Sequence, residues 1–544
     1  MENNSRRFST WLPVILGVTL IFGVWLGIRL QSRKQVASGM PTMSTTLHSK
    51  LDQVINLVEG NYVDTVNTKK IIEDAIPEVL KQLDPHTVYI PAKEMVEVSE
   101  EMAGNFGGIG VQFSIQNDTV MVVDVVSGGP SQKLGIKAGD RIVKVGDSTL
   151  VVKNLKTDMV FKKLRGPKGS KVKVGIWRKG LPEVINYDIT RGEIPIYSVD
   201  VSYMVDSKTG YVKVGRFADK TYDEFMAALA KLDSGGAEQL IIDLRSNPGG
   251  YMNSVIRMVS EFLDKGELIV YTKGRTQPKK EVFAEKRGRY FGKRVIVLVD
   301  EYAASASEIF AGAIQDNDRG TIFGRRTFGK GLVQEQMFFY DGSALRLTVA
   351  RYYTPAGRCI QKPYLKGTED YYADINKRFA HGEFTQKDSI HMADTVKYYT
   401  RLKRIVYGGG GIMPDVFVPA DTTGNSNYLF RLIQKGLVNK FAFEYADKHR
   451  VELSHLKSGA DFSALLKKRS VLNDFLQYAV KNGVPNNEAG IRMSGKVIET
   501  QLMAYIARNI IGEEGFYSII SDIDNTLQEA VKDINSKDKL VSVE

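Results

Sequence analysis

A single cysteine, Cys359, in 544 residues excludes an intramolecular disulfide and any cysteine-based metal cluster. Histidine is nearly as scarce. His48, His86, His381, His391, His449 and His455 are scattered and include no His-x-x-x-His pair, so no metal and no zinc chemistry is expected. The formal charge is +11, yet no long basic run carries interleaved aromatics. Lysines and arginines scattered among acids describe a solvated surface, and no nucleic-acid partner is expected.

One long apolar run is present, at the N-terminus. "WLPVILGVTLIFGVWLGI" (11–28) is uncharged and flanked by Arg6, Arg7, Arg29, Arg33 and Lys34. At about 1.5 Å per residue it covers most of a roughly 30 Å hydrocarbon core. Residues 11–30 are therefore expected to be a transmembrane anchor after a cytoplasmic segment, 1–10. A cleaved signal peptide is the competing reading, but "QVASGM" is a poor cleavage site and the run is long for a signal.

The remaining length exceeds one ordinary core and predicts several domains. Residues 31–102 read as a helical region, with apolar residues at three and four spacing in "LHSKLDQVINLVEGNYVD" and "IIEDAIPEVLKQL". "LDPHTVYIP" then breaks the pattern. His86 beside a proline turn is more often structural than catalytic. Residues 103–190 change to short β-branched runs punctuated by glycine, a small all-β module. In it, Gly108, Ile109, Gly110 and Val111 form a Gly-rich turn that opens a strand. Free N–H groups beside an exposed strand edge are what a peptide's terminal carboxylate needs. With "KAGDRI" following, the module resembles a PDZ domain.

From 191 to 420, strands alternate with helices, which predicts a layered α/β core with its site at strand ends. There "RVIVLVDEYAASASEIFAGAI" runs from a buried strand through a turn into an apolar helix. Serine at a helix start is commonly only a cap. At this strand-to-helix turn, however, the Ser305 hydroxyl is exposed and the N–H of Ala306 points where an oxyanion would form. Ser307, two positions on, is expected to pack. A serine needs a base, and no histidine sits at a recognisable strand end. Lys330, between Gly329 and Gly331 in "FGKGLVQ", is the better candidate, provided desolvation or nearby positive charge keeps its amine neutral. A phosphate-loop role fails because "GKGL" replaces Gly-Lys-[Ser/Thr].

Taken in order, "LDPHTVYIP", the β module, "GYVKVGRF", "DLRSNPGG", "SASEIFAGAIQD", "FGKGLVQ", "TPAGRCIQ" and "GIMPDV" closely resemble the carboxyl-terminal processing peptidases, tail-specific serine proteases of family S41. The resemblance spans roughly residues 50 to 420. It implies a serine–lysine dyad of Ser305 and Lys330, with Gln334 orienting the lysine. It also implies oxyanion donors at Ala306 and at Gly249 or Gly250, and a supporting acid at Asp316. The implied reaction is cofactor-free endoproteolysis near a substrate's free C-terminus, held by the PDZ module, on the periplasmic side of a bacterial inner membrane. Two stretches fall outside the pattern. Residues 365–408 look like an inserted lobe, and 421–544 read as a helical region suited to partner docking, homo-oligomer formation or plain capping. The competing functions are a non-enzymatic membrane-anchored PDZ adaptor, which would have lost the dyad, and a Ser-His-Asp hydrolase, which would need an essential histidine.

Overall fold

The computed structural model describes residues 45–116, 118–151, 153–391 and 395–536. The expected anchor at 11–30 lies outside them, and among the described residues no helix is long and apolar enough to cross a membrane. The chain divides into a short unit, residues 1–75, and a large one, residues 76–544. In the first, the three-and-four spacing forms the helix Thr45–Asn61, whose Leu51, Val54 and Leu57 stand exposed.

The large unit opens with the "LDPHT" turn and the strand Val88–Ile90, followed by the helix Ala92–Ala103, which Gly104 ends in the left-handed conformation. Strand Asn105–Gly108 pairs antiparallel with Gly192–Pro195, so entry to and exit from the β module lie side by side. The module between them is a six-stranded antiparallel sheet around Val120, Val122, Ile142, Val174 and Ile189. Strand Val111–Gln116 is its edge, and helix Thr157–Leu164 sends Phe161 against Phe113, ring centres 5.1 Å apart.

The α/β core is a second six-stranded sheet in the order Val199–Met204, Thr209–Val214, Gln239–Asp243, Arg294–Val299, Thr321–Gly324, Val416–Phe417. All neighbours are parallel except the first pair. Its strands are apolar on both faces, as a sheet covered on both sides requires. Leu240, Ile242, Val295 and Val297 face one core with residues of the helices Thr221–Ser234, Met252–Ser260 and Ala306–Asp316. Ile241, Ile296 and Leu298, the alternate positions, face the other way. That second face is covered from the C-terminus by Leu527, Ala530 and Ile534 of helix Asn525–Asn535, all nearly fully buried. Each large side chain so buried stabilises the sheet by about 1.5–3 kcal/mol. The last helix thus supplies a layer of the core, while helices between Asn427 and Ile520 build a separate apolar cluster of their own.

A five-stranded sheet beside the core brings distant segments together. Strand Ala344–Tyr353 pairs with Val88–Ile90, with Leu332–Phe338 and with Leu268–Lys273, which in turn pairs with Lys280–Phe283. The "LDPHT" turn is thereby carried from the N-terminal side to the segment that follows Lys330.

Candidate active site

Strand Arg294–Val299 ends at Asp300, whose buried carboxylate accepts the N–H groups of Tyr302 (3.1 Å), Ala303 (3.0 Å) and Ser246 (2.8 Å). This turns the chain sharply and ties it to the "DLRSNPGG" loop. Ser305 follows with φ 56° and ψ −113°, a strained conformation for a residue with a side chain, and is the N-cap of helix Ala306–Asp316. Ser305 is partly exposed while both neighbours are buried. Ser307 is buried as expected, donating to the Asn247 carbonyl at 2.9 Å.

Ser305 and Lys330 share one carboxylate. Glu308, fully buried, accepts the N–H of Ser305 (2.8 Å) and of Lys330 (2.9 Å) on Oε2. Its Oε1 takes the N–H of Gly329 (2.8 Å) and the hydroxyl of Thr327 (2.5 Å). Burial pushes this acid up to about 7 against the pull of those donors. A second bridge is buried Tyr352, whose hydroxyl lies within reach of the carbonyls of Ser305 (3.0 Å) and Lys330 (2.6 Å). Lys330 itself is held below the usual lysine range, first by desolvation and then by Arg346, against Glu308 and Asp84. That is the direction a general base requires.

Around Ser305 and Lys330 the loops supply donors. Gly249 (φ 99°) lies so close that a Cβ there would stand 2.7 Å from Ser305 Cβ and 2.9 Å from Ala306 N. Its own N–H donates to Asn247 Oδ1 at 2.8 Å. The N–H groups of Gly250 and Ala306 have no partner among the described residues. Gln334 does not hydrogen-bond Lys330; its amide donates to Thr348 Oγ1 (3.2 Å), whose hydroxyl donates to Asp84 (3.1 Å). Asp316, buried at the far end of the serine helix, pairs with buried Arg358 (2.7 Å) and accepts the Ala356 N–H (3.0 Å). It supports the "TPAGRC" loop through Ala356 and Arg358.

Four site residues escaped the sequence reading. Glu308 carried a signal, since Ser-x-x-Glu at a helix start is a capping box. Asp84, Thr348 and Tyr352 carried none, because strand pairing alone brings them in. The fold also sets His86 beside Lys330, where burial, Lys330 and Lys362 outweigh Asp84 and lower it to about 3, so its ring is neutral.

In the β module, the N–H groups of Ile109 and Gly110 (φ 76°) are unpartnered among the described residues, while the Ile109 carbonyl is fixed by the Ser131 N–H (3.0 Å) and hydroxyl (2.7 Å). Gly108, Ile109, Gly110 and Val111 thus form a rigid turn beside the free strand edge.

Sequence comparison agrees with this layout. The pattern of peptidase family S41 matches residues 208–371, that of a PDZ domain matches 107–189, and that of a family of unknown function matches 428–512. The chain is similar to the carboxy-terminal-processing protease of Bartonella bacilliformis, 35% identical over 318 residues, 58% of this chain and 72% of that protein. The chain belongs to the carboxy-terminal processing proteases of family S41. It is likewise 33% identical over 344 residues to the carboxy-terminal processing protease CtpA of Bacillus subtilis, 61% of this chain and 73% of that one. Among solved structures, the photosystem II D1 C-terminal processing protease is 25% identical, covering 69% of this chain and 94% of its own, with a TM-score of 0.35. The protein is therefore a carboxy-terminal processing serine protease with a PDZ domain and a helical C-terminal region.

Proposed function

We propose that Ser305 is the nucleophile of this carboxy-terminal processing protease and Lys330 its general base. The supporting observation is the Glu308 carboxylate, which fixes both backbones at once. Ser305 attacks the scissile carbonyl while the neutral Lys330 amine takes its proton and later returns it to the leaving amine. The oxyanion lies between the N–H of Ala306 and that of Gly250, since Gly249 spends its own on Asn247. Gln334 acts at one remove, through Thr348 and Asp84.

The substrate's last residues add a strand to the edge Val111–Gln116, with the terminal carboxylate on the turn 108–111 and apolar side chains beside Phe113 and Phe161. The apolar run at 11–28 supports anchoring in a bacterial inner membrane with the protease on the periplasmic side. Self-association of copies is compatible with the exposed Leu51, Val54 and Leu57.

The test uses the purified full chain in detergent, as wild type, Ser305→Ala and Lys330→Ala, with unfolded proteins and peptides ending in apolar residues, followed by mass spectrometry. Cleavage by wild type alone supports the dyad. Cleavage by Lys330→Ala refutes it, and tail binding without cleavage by all three would make the protein an adaptor.

A further inference from the structure

Residues 365–408 read as an inserted lobe, of which 372–408 lie beyond the S41 match, and the structure puts its helix, Thr368–Ala380, against the loop that carries Lys330. Tyr371 is 1% exposed and packs edge-on against Phe328 of that loop (5.6 Å between ring centres) and against His86 (5.3 Å). Its hydroxyl stands 3.0 Å from His86 Nε2 and accepts from Gln361 Nε2 at 3.4 Å. Gln361 in turn accepts the Gly331 N–H at 2.8 Å. From the end of the same helix, buried Arg378 donates to the carbonyls of Arg326 (2.7 Å) and Thr327 (3.1 Å). Glu383 accepts from Arg378 and Arg326 together. The segment 326–331 is thus gripped by Glu308 on one side and by the inserted lobe on the other.

We propose that Tyr371 is a positioning residue for Lys330, and that the inserted lobe is part of the mounting of the base and not a reader of substrate. This rests on Lys330 being the base. A lysine serves as one only while its amine stays dry and neutral. Arg346 pushes Lys330 down, the Glu308 and Asp84 carboxylates push it up, and the neighbouring His86 ring is neutral. Just before the lobe, Lys362 sits over Phe328 (3.8 Å) and over the lobe's Tyr371 (4.4 Å) and is paired with the lobe's Asp374 (3.0 Å), beside Tyr372 and Arg378. Removing the Tyr371 hydroxyl leaves a buried imidazole nitrogen without its partner. An entering water restores one, and the same water solvates the neighbouring amine.

The test is Tyr371→Phe in the full chain, assayed with a quenched-fluorescence peptide ending in apolar residues, beside wild type and Lys330→Ala. The expected result is kcat at neutral pH reduced about three- to tenfold, with the acid limb of the kcat profile moved to higher pH and KM within about twofold. An unmoved limb and unchanged kcat, with Lys330→Ala inactive, overturn the inference alone. So does a raised KM at constant kcat, which would make the lobe a substrate reader. Activity in Lys330→Ala removes the base assignment and the inference with it. If Tyr371→Phe lowers the melting temperature substantially, Arg378→Lys, which loosens the same loop from the other end of the helix, is judged by the same outcomes.

Discussion

Replacing Glu308 by glutamine probes the junction on which the proposed dyad depends. The amide can keep its oxygen toward the N–H groups of Ser305 and Lys330, and Thr327 can turn its hydroxyl to accept from the new NH2. The Gly329 N–H then faces a donor, an unpaired buried group that costs about 1–3 kcal/mol at every pH. A second, pH-dependent effect has the opposite sign. The folded acid is raised from 4.5 to about 7, so its contribution to stability is fully present below about pH 4.5 and is lost as pH rises through about 7. The difference is on the order of 3 kcal/mol, and glutamine is spared it. Wild type therefore melts well above Glu308→Gln near pH 5, and the gap narrows or reverses by pH 8. Loss of the Glu308 charge also removes an influence that raises Lys330, so the acid limb of kcat/KM moves to lower pH in the variant. Thermal unfolding at intervals from pH 4.5 to 8.5, with a pH–rate profile, measures both. Parallel melting curves, or a limb that stays or moves upward, would refute the assignment of Glu308 as a buried acid coupled to the lysine.

Gly249→Ala drives a methyl to 2.7 Å from Ser305 Cβ at φ 99°, and backbone strain with overpacking costs about 2–5 kcal/mol; kcat/KM is expected to fall at least tenfold, with unimpaired activity the contrary result. Asp524→Asn removes the C-terminal half of the bidentate clamp on Arg245 (2.8 and 2.6 Å) that steadies the "DLRSNPGG" loop. The melting temperature should drop by the equivalent of about 1 kcal/mol, less so at high salt. Phe161→Ala strips an apolar wall from the tail groove, raising KM about fivefold or more for peptides with apolar C-termini and leaving amidated peptides unchanged. Equal effects on both peptides would place tail recognition elsewhere.

The strand-to-helix turn at 299–306, the lysine between two glycines, the Gly-rich turn at 108–111 and the alternation of strands and helices were all legible locally. Each is a feature of a few consecutive residues, or of a short period, and each carries its own backbone requirement. What local reading could not reach was the surroundings of the lysine. Asp84 and His86 lie some 250 residues before it in the chain, and only the pairing of Val88–Ile90 with Ala344–Tyr353 delivers them. Gln334 matched the family position, yet its hydrogen bond goes to Thr348, a partner that antiparallel register selects. The C-terminal region read simply as helical. That its last helix completes the second face of the core sheet follows from alternate strand residues being apolar on both sides, a requirement that the strands themselves state and another segment must answer.

By itself, then, the sequence determined the elements, the order of the domains and the residues capable of the chemistry, because periodicity, turn preference and the reactivity of serine and lysine are properties of short stretches. Only the tertiary structure decided which groups share a hydrogen bond, which loop glycine spends its N–H on Asn247, and how dry the lysine is kept. Burial and hydrogen-bond geometry arise between segments that the chain separates by hundreds of residues, and both the acidity of Glu308 and the basicity of Lys330 are set by that surrounding.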